Sequence, residues 1–437
     1  MIQPLEIGTE FQINSTTISA QNAPQVAVLS GGGNVVIWQD QSQVGTDTSA
    51  LAIRGRIYGA DGLPISGSDF EINATTTGSQ LNAVVAKLAG NRFVVAWEDG
   101  SATGADTDGT AIRYRVFEGD GTALTAGDFV ANSIATGFQM VPTITSLANG
   151  GFALAWADVG GTRLRFFDGT GNPILGSEQL IAVGIDQSRA GAPSITTLSD
   201  GRLALAWRDD DLNIHAQVFN ADGTVSVAEY TVNNASLLGP QSEPSIAALA
   251  TGGFVISWTD GEFFNDRDVR VQAFNASGAE VGSETVFHST DPLFVRNMAS
   301  DVTGLKDGGF VVVWTNNQGN SSFSHIYGQQ FSEGGTAVGD TFLITDLRHD
   351  PVPSPSDYQY DPDVVTLADG SFLVTWTNRD PPVSVFDIPN DDVYGQRFAP
   401  LLVDAPSAFT ADQIFTQEQK GKLAFLESFP LDLGQGL

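Results

Sequence analysis

The side chains of this chain best suited to chemistry are closely spaced carboxylates on glycine-bearing loops. They fall in four groups: Asp99, Asp106 and Asp108 in EDGSATGADTDG; Asp209, Asp210 and Asp211 in RDDDLN; Asp260, Asp266 and Asp268 in TDGEFFNDRD; and Asp387, Asp391 and Asp392 in VFDIPNDD. A hard cation such as Ca2+ takes about six to eight oxygens from carboxylates and backbone carbonyls, and loops of this composition supply both. The helix-loop-helix spacing with its closing bidentate Glu is absent. Calcium is the cofactor these loops admit, with Asp99, Asp106, Asp108, Asp209, Asp210, Asp260, Asp266 and Asp268 as its expected ligands. The alternative for each group is a solvated acidic loop.

A second assembly offers proton transfer. Arg348, His349, Tyr358 and Tyr360 lie together in RHDPVPSPSDYQYDP, with His325 and Tyr327 shortly before them. These types supply a general base, a general acid and a carboxylate-neutralising cation, the set needed for β-elimination on an acidic polysaccharide. Other catalytic signatures are missing. Cysteine is absent, no serine sits in a G-x-S-x-G elbow, and the histidines (His215, His288, His325, His349) form no metal motif.

The elements that must position these loops are written seven times. GGNVVIWQD, NRFVVAWED, GGFALAWAD, GRLALAWRD, GGFVISWTD, GGFVVVWTN and GSFLVTWTN each carry one tryptophan, and Trp38, Trp97, Trp156, Trp207, Trp258, Trp314 and Trp376 are all the tryptophans of the chain. Their separations of 59, 59, 51, 51, 56 and 62 residues mark a repeat architecture. Each unit reads as four strands. A short apolar strand such as PQVAVL or PSITTL is followed by a two-residue Asp-Gly or Asn-Gly turn and the Trp strand. A strand ending in an aromatic comes next (IRGRIY, IRYRVF, RLRFF, IHAQVF, VRVQAF, IYGQQF, VYGQRF), and then a fourth such as GSDFEIN. The last unit lacks its fourth strand, while a near copy, GTEFQIN (Gly8 to Asn14), precedes the first. A ring closed by the N-terminal strand explains both, since it leaves no sheet edge at the seam.

The fold class is therefore all-β. The repeat resembles a seven-bladed β-propeller of four-stranded blades, built from units found in large secreted or surface-attached bacterial proteins. That resemblance covers Gly8 to Ala399 and implies a fold without implying a catalytic motif. The expected domains are residues 1–400, the propeller, and 401–437, a tail. Within the tail Thr410 and Gln413 form a capping-box pattern before a helix over Ala411 to Ser428, anchored by Ile414, Phe415, Leu423 and Leu426. It reads as a segment packed on the propeller, or as a C-terminal export or docking signal.

In this arrangement the tryptophans fill the wedge between blades. Two residues beyond each stands an acid or its amide (Asp40, Asp99, Asp158, Asp209, Asp260, Asn316, Asn378), read as an Asx-type turn ending the strand, or else as a ring of ligand contacts. The loops after the Trp strands hold 18 of the 51 acids in 77 of the 437 residues, about twice an even share, so one face is acidic. A net charge of -31, with 20 Lys and Arg against 51 Asp and Glu, excludes a nucleic-acid partner. No apolar run is long enough to insert in a membrane. The N-terminal MIQPLEIGTEF lacks a leader pattern, so the expectation is export without a classical signal peptide to the cell surface or medium. The function expected from sequence is non-catalytic: a secreted or surface binding and adhesion module whose acidic face engages a glycan or protein. The alternatives are a polysaccharide lyase centred on His325, His349 and Tyr360, and a structural subunit docked through the tail. The oligomeric state is left open.

Overall fold

Seven readings of apolar run, glycine turn and Trp strand become antiparallel hairpins in the computed structural model. It describes residues 2–65, 67–174, 176–183, 191–233, 239–261, 267–288, 296–317, 324–345, 358–379 and 390–402. The described residues contain strands and no α-helix; the expected tail helix lies outside them. The first unit comprises Gln21–Val28, Asn34–Asp40, Ala52–Tyr58 and Phe70–Glu71, paired in that order. Four further sheets repeat this order, beginning at Gln80–Leu88, Gln139–Ser146, Ser194–Thr197 and Gln241–Ala248.

The sixth sheet has eight strands and divides into two antiparallel groups. One runs Arg296–Gly304, Phe310–Asn317, Ser324–Phe331 and Ala337–Leu343; the other runs Tyr358–Thr366, Phe372–Arg379, Asp391–Ala399 and Leu5–Gln12. Among the described residues the strand pairing between them is the parallel bridge Ser324–Tyr358. The N-terminal strand is thus the outer strand of the last group, with Leu5 opposite Ala399 and Phe11 opposite Gly395. The first and last units also touch, since Asp363 accepts the Val26 N–H at 2.8 Å and Thr377 Oγ1 accepts the Ala23 N–H at 3.1 Å. The fold is all-β and β-propeller-like.

The turn before the Trp strand is one residue longer than the sequence suggests. In the fourth unit the Leu198 N–H bonds the Arg202 carbonyl and the Gly201 N–H bonds the Leu198 carbonyl, which makes a type I turn closed by Gly201 at φ 85°. Asp200 keeps negative φ and accepts the Arg202 N–H at 3.0 Å, so one glycine per turn suffices.

The core lies between units. Every residue of Asn34–Asp40 and Phe152–Asp158 is buried, because each Trp strand is covered on both faces. Trp97, for example, clusters with Val35 and Ile37 of the preceding unit, and no tryptophan is more than 3% exposed. Burying such a side chain on both faces is the main source of stabilisation in a stack of sheets.

The innermost strands share a feature that the sequence does not announce. Their registers shift at Asn22/Gln25, Leu81/Val84, Met140/Thr143, Ser242/Ser245, Met298/Asp301 and Tyr360/Asp363. At each bulge one non-glycine residue has positive φ: Ala23, Asn82, Val141, Glu243, Ala299 and Asp361, between 46° and 54°. The left-handed conformation costs an L-residue roughly 1–2 kcal/mol, and a β-branched residue such as Val141 is held there only by its surroundings. The bulge recurs in six of the seven innermost strands, and one segment from every unit lines a cavity of about 270 Å3 between them.

Candidate functional site

The acids that follow the tryptophans are held by partners facing them across the hairpin. On the neighbouring strand the residue opposite Trp38 is Arg54, and the Arg54 Nε bonds Asp40 at 2.8 Å. The same geometry joins Arg113 to Asp99 at 2.7 Å, Arg163 to Asp158 at 2.6 Å and Arg270 to Asp260 at 2.6 Å. In the fourth unit His215 takes the arginine's place, with Nε2 at 2.8 Å from Asp209. Where the acid is an amide, the residue opposite Trp is a tyrosine: Asn316 goes with Tyr327 and Asn378 with Tyr394. The second oxygen of Asp40, Asp99 and Asp260 accepts the side-chain amide of Gln21, Gln80 or Gln241. These acids are internal struts. Asx-type bonds do occur, as from the Ser42 N–H to Asp40 and the Gly160 N–H to Asp158, but they are secondary to the ion pairs. The signal was present in the strands IRGRIY, IRYRVF, RLRFF, IHAQVF and VRVQAF, whose basic residue occupies one slot.

Most of the residues expected to hold calcium have protein partners. Asp99 is 1% exposed and committed to Arg113. Asp106, 3% exposed, accepts the Asn132 amide at 2.6 Å and the Asp108 N–H, while Asp108 accepts the Gly137 N–H at 3.0 Å. Asp209 serves His215 and the Asn213 N–H, and Asp210 and Asp211 are exposed beside it. Asp260 serves Arg270, and Asp268 lies 3.0 Å from His288 Nδ1. Asp391 serves Arg379, and Asp392 accepts the Asn14 amide at 2.6 Å. Asp266 and Asp387 lie outside the described residues. Among the described residues no three His, Asp or Glu side chains converge to hold a metal ion.

Of the proton-transfer assembly, Arg348 and His349 lie outside the described residues. Tyr358 opens the innermost strand of the last unit, and His325 Nδ1 is 3.0 Å from the Gln359 side chain. The Tyr360 hydroxyl donates to Asp391 at 2.7 Å and accepts from Arg379 at 3.0 Å. Burial, then the bond to Asp391, pushes its ionisation far above the usual phenol range, so Tyr360 keeps its proton at neutral pH.

The channel gathers carboxyl groups that sequence reading missed. Asp301 and Asp363 hold corresponding places in the innermost strands of the two groups that share the large sheet, and both line the cavity with Glu243 and Asp361. Asp301 accepts the Ser245 hydroxyl at 2.6 Å and the Val364 N–H at 2.8 Å. Asp363 accepts the Gln25 amide at 2.9 Å and the Val26 N–H at 2.8 Å. In two other units a hydroxyl makes the same link, Thr143 to the Ile195 N–H and Ser194 to the Ile246 N–H. Joining units therefore does not require a carboxyl there. Both groups are half-buried on the cavity wall, and their proton affinity is raised: Asp301 is pushed up by burial, and Asp363 well up by burial and then by the charge of Asp301. Glu98, which accepts the Asn82 amide and the Val141 N–H, is also raised by burial.

No protein-family model matches the chain, and no curated protein matches it in sequence. Solved structures are similar at low identity. A Dyadobacter fermentans protein of unknown function aligns at a TM-score of 0.50 and 11% identity, over 90% of this chain and 98% of that one. An α-L-arabinanase of Penicillium chrysogenum aligns at 0.43 and 13%, over 88% and 98%, and a Trypanosoma rangeli sialidase at 0.44 and 11%, over 87% and 55%. The non-catalytic adhesion module expected from sequence is corrected: the similar solved structures include a sialidase and an arabinanase, and Asp40, Asp99, Asp158 and Asp260, four of the acids expected on its binding face, are paired with Arg54, Arg113, Arg163 and Arg270.

Proposed function

We propose that the chain closes into a seven-bladed propeller and hydrolyses a glycosidic bond at the carboxyl groups of its central channel. The observation that carries this reading is the pair Asp301 and Asp363, adjacent acids in places where hydroxyls suffice elsewhere, both with raised proton affinity and both on the cavity that holds Glu243 and Asp361. Glycoside hydrolysis needs one carboxyl that arrives protonated and one that arrives ionised, and unequal environments within one cluster provide that division. Asp363, raised by burial and by its neighbour, gives its proton to the glycosidic oxygen as the C–O bond breaks. Water adds to the anomeric carbon and loses its proton to the second carboxylate, assigned to Glu243, whose backbone is held at φ 54° by the bulge. The polar wall contributed by Gln25, Asn82, Thr143 and Ser194 suits a polyhydroxylated substrate. The contact between the first and last units and the pairing of Leu5–Gln12 with Asp391–Ala399 support the closed ring.

The test is hydrolysis of a panel of nitrophenyl glycosides and polysaccharides by the whole chain and by Asp363→Asn and Glu243→Gln. Activity on at least one substrate, reduced about a hundredfold or more in each variant while circular dichroism is unchanged, is expected. A chain inactive on the whole panel, or variants that keep full activity, overturns the proposal.

A further inference from the structure

The junction between the last and first units is hollow where three of the others are filled. Four residues before each tryptophan stands Phe93, Phe152, Leu203, Phe254, Phe310 or Phe372, but in the first unit the residue is Asn34. The phenylalanines stack on the aromatic of the facing strand, Phe93 on Phe117 at 5.1 Å and Phe152 on Phe167 at 4.7 Å between centroids, whereas Asn34 faces Tyr58 with no such ring. The residue before that facing aromatic departs from the pattern at the same junction. Ile57, Val116 and Phe166 each press on the glycine turn of the next unit, at Gly121, Gly171 and Gly223, where an added methyl would meet them at 3.1, 3.2 and 2.8 Å. In the last unit this slot is Arg397, which turns away to pair with Asp369 and to donate to Ser371 at 2.8 Å. A methyl on Gly62, the corresponding turn of the first unit, would meet nothing within 4 Å.

The two departures leave a cavity of about 460 Å3 between the first and last units, walled by Ile7, Phe11, Val36, Tyr58, Leu367 and Leu373. Asn34 lines it, is 7% exposed, and its side-chain carbonyl oxygen has no hydrogen-bond partner. A buried acceptor without a donor is costly, and a ligand that brings the donor removes the cost. Asp61, Asp369 and Arg397 complete the lining, two acids to one base.

The geometry points to a binding site for a small aromatic cation at this junction, distinct from the channel. An aromatic ring takes the volume that phenylalanine fills elsewhere and lies against Tyr58. A hydroxyl on the ring donates to Asn34, and an ammonium meets Asp61, the acid of the lining that Arg397 does not pair with.

Tyramine is the probe, titrated calorimetrically into the whole chain. One saturable site is expected, weakened about tenfold for phenethylamine, which lacks the ring hydroxyl. It should be lost in Asn34→Phe, a variant that restores the residue of the other units and should raise the thermal midpoint. No saturable binding of tyramine overturns the proposal, as does undiminished binding to Asn34→Phe. Equal affinity for phenethylamine overturns the assignment of Asn34 as acceptor without recourse to any variant. Binding that appears only once the chain is cut after Leu402 means that its own terminal segment occupies the cavity, and the small-molecule site is wrong.

Discussion

Asp99 and Arg113 illustrate what a single pair of residues does here. Both are nearly enclosed, at 1% and 5% exposure, and each satisfies the other's charge while Gln80 and the Thr103 carbonyl take the remaining valences. Removing one partner of a buried pair strands the other's charge, so Arg113→Ala should lower unfolding free energy by about 3–5 kcal/mol in urea denaturation. The chain itself supplies the control. Two units carry amide and tyrosine in these slots, as Asn316 with Tyr327, so Asp99→Asn combined with Arg113→Tyr should recover most of the loss. A double variant no better than Arg113→Ala would show that the two solutions are not interchangeable. The basic slot was visible in the third strands, but spacing along one strand cannot show which residue faces it across a hairpin; register decides that.

At the scale of elements, the N-terminal strand is the informative case. GTEFQIN copies the fourth strand of a unit, and the strand Leu5–Gln12 lies against Asp391–Ala399, with Asn14 bonding both the Val393 N–H and Asp392. Deleting residues 1–14 should expose Asp391–Ala399 as a sheet edge and remove the Asn14 amide from Asp392. The expected outcome is a lower thermal midpoint and loss of hydrogen-exchange protection in Val393–Phe398 before other strands, both restored by the missing strand added as a peptide. Protection that falls uniformly would mean the strand is no more than an addition to the edge. The repeated bulge in the innermost strands was hidden from sequence reading for a physical reason. Ala23, Val141 and Ala299 are not residues that choose positive φ; contacts with the neighbouring unit impose it, and Thr377, Glu98 and Glu243 hold it by accepting their N–H groups.

At the scale of the whole molecule, the channel couples units through ionisable groups. Asp301 bonds Val364 and Asp363 bonds Val26, each reaching into the next unit. Because their folded proton affinities are raised above the ordinary carboxylate value, the folded state binds more protons than the unfolded state from about pH 4 upward, through their raised values. Stability from these two groups is therefore present at the acid end of that window and is lost as pH rises through it. Urea titrations of the whole chain and of Asp301→Asn with Asp363→Asn, compared between pH 4 and pH 8, should give a smaller fall in stability for the variant. An unchanged slope would place the proton uptake elsewhere.

Period, strand order and the wedge-filling role of the tryptophans were determined by the sequence alone, because each rests on local hydrophobic pattern repeated often enough to average out exceptions. The same pattern already held Asn34 and Arg397, among its departures, without showing that they meet. What only the tertiary structure decided is which polar groups are spent and which face a cavity. Acids crowded on loops looked available in sequence, yet pairing across the hairpin commits Asp99, Asp158 and Asp260 to arginines. Asp301 and Asp363, 62 residues apart, come to line one channel. Charge pairing depends on hairpin register, which spacing along one strand does not show, and cavity walls depend on distances between units, which are set by the packing of whole sheets.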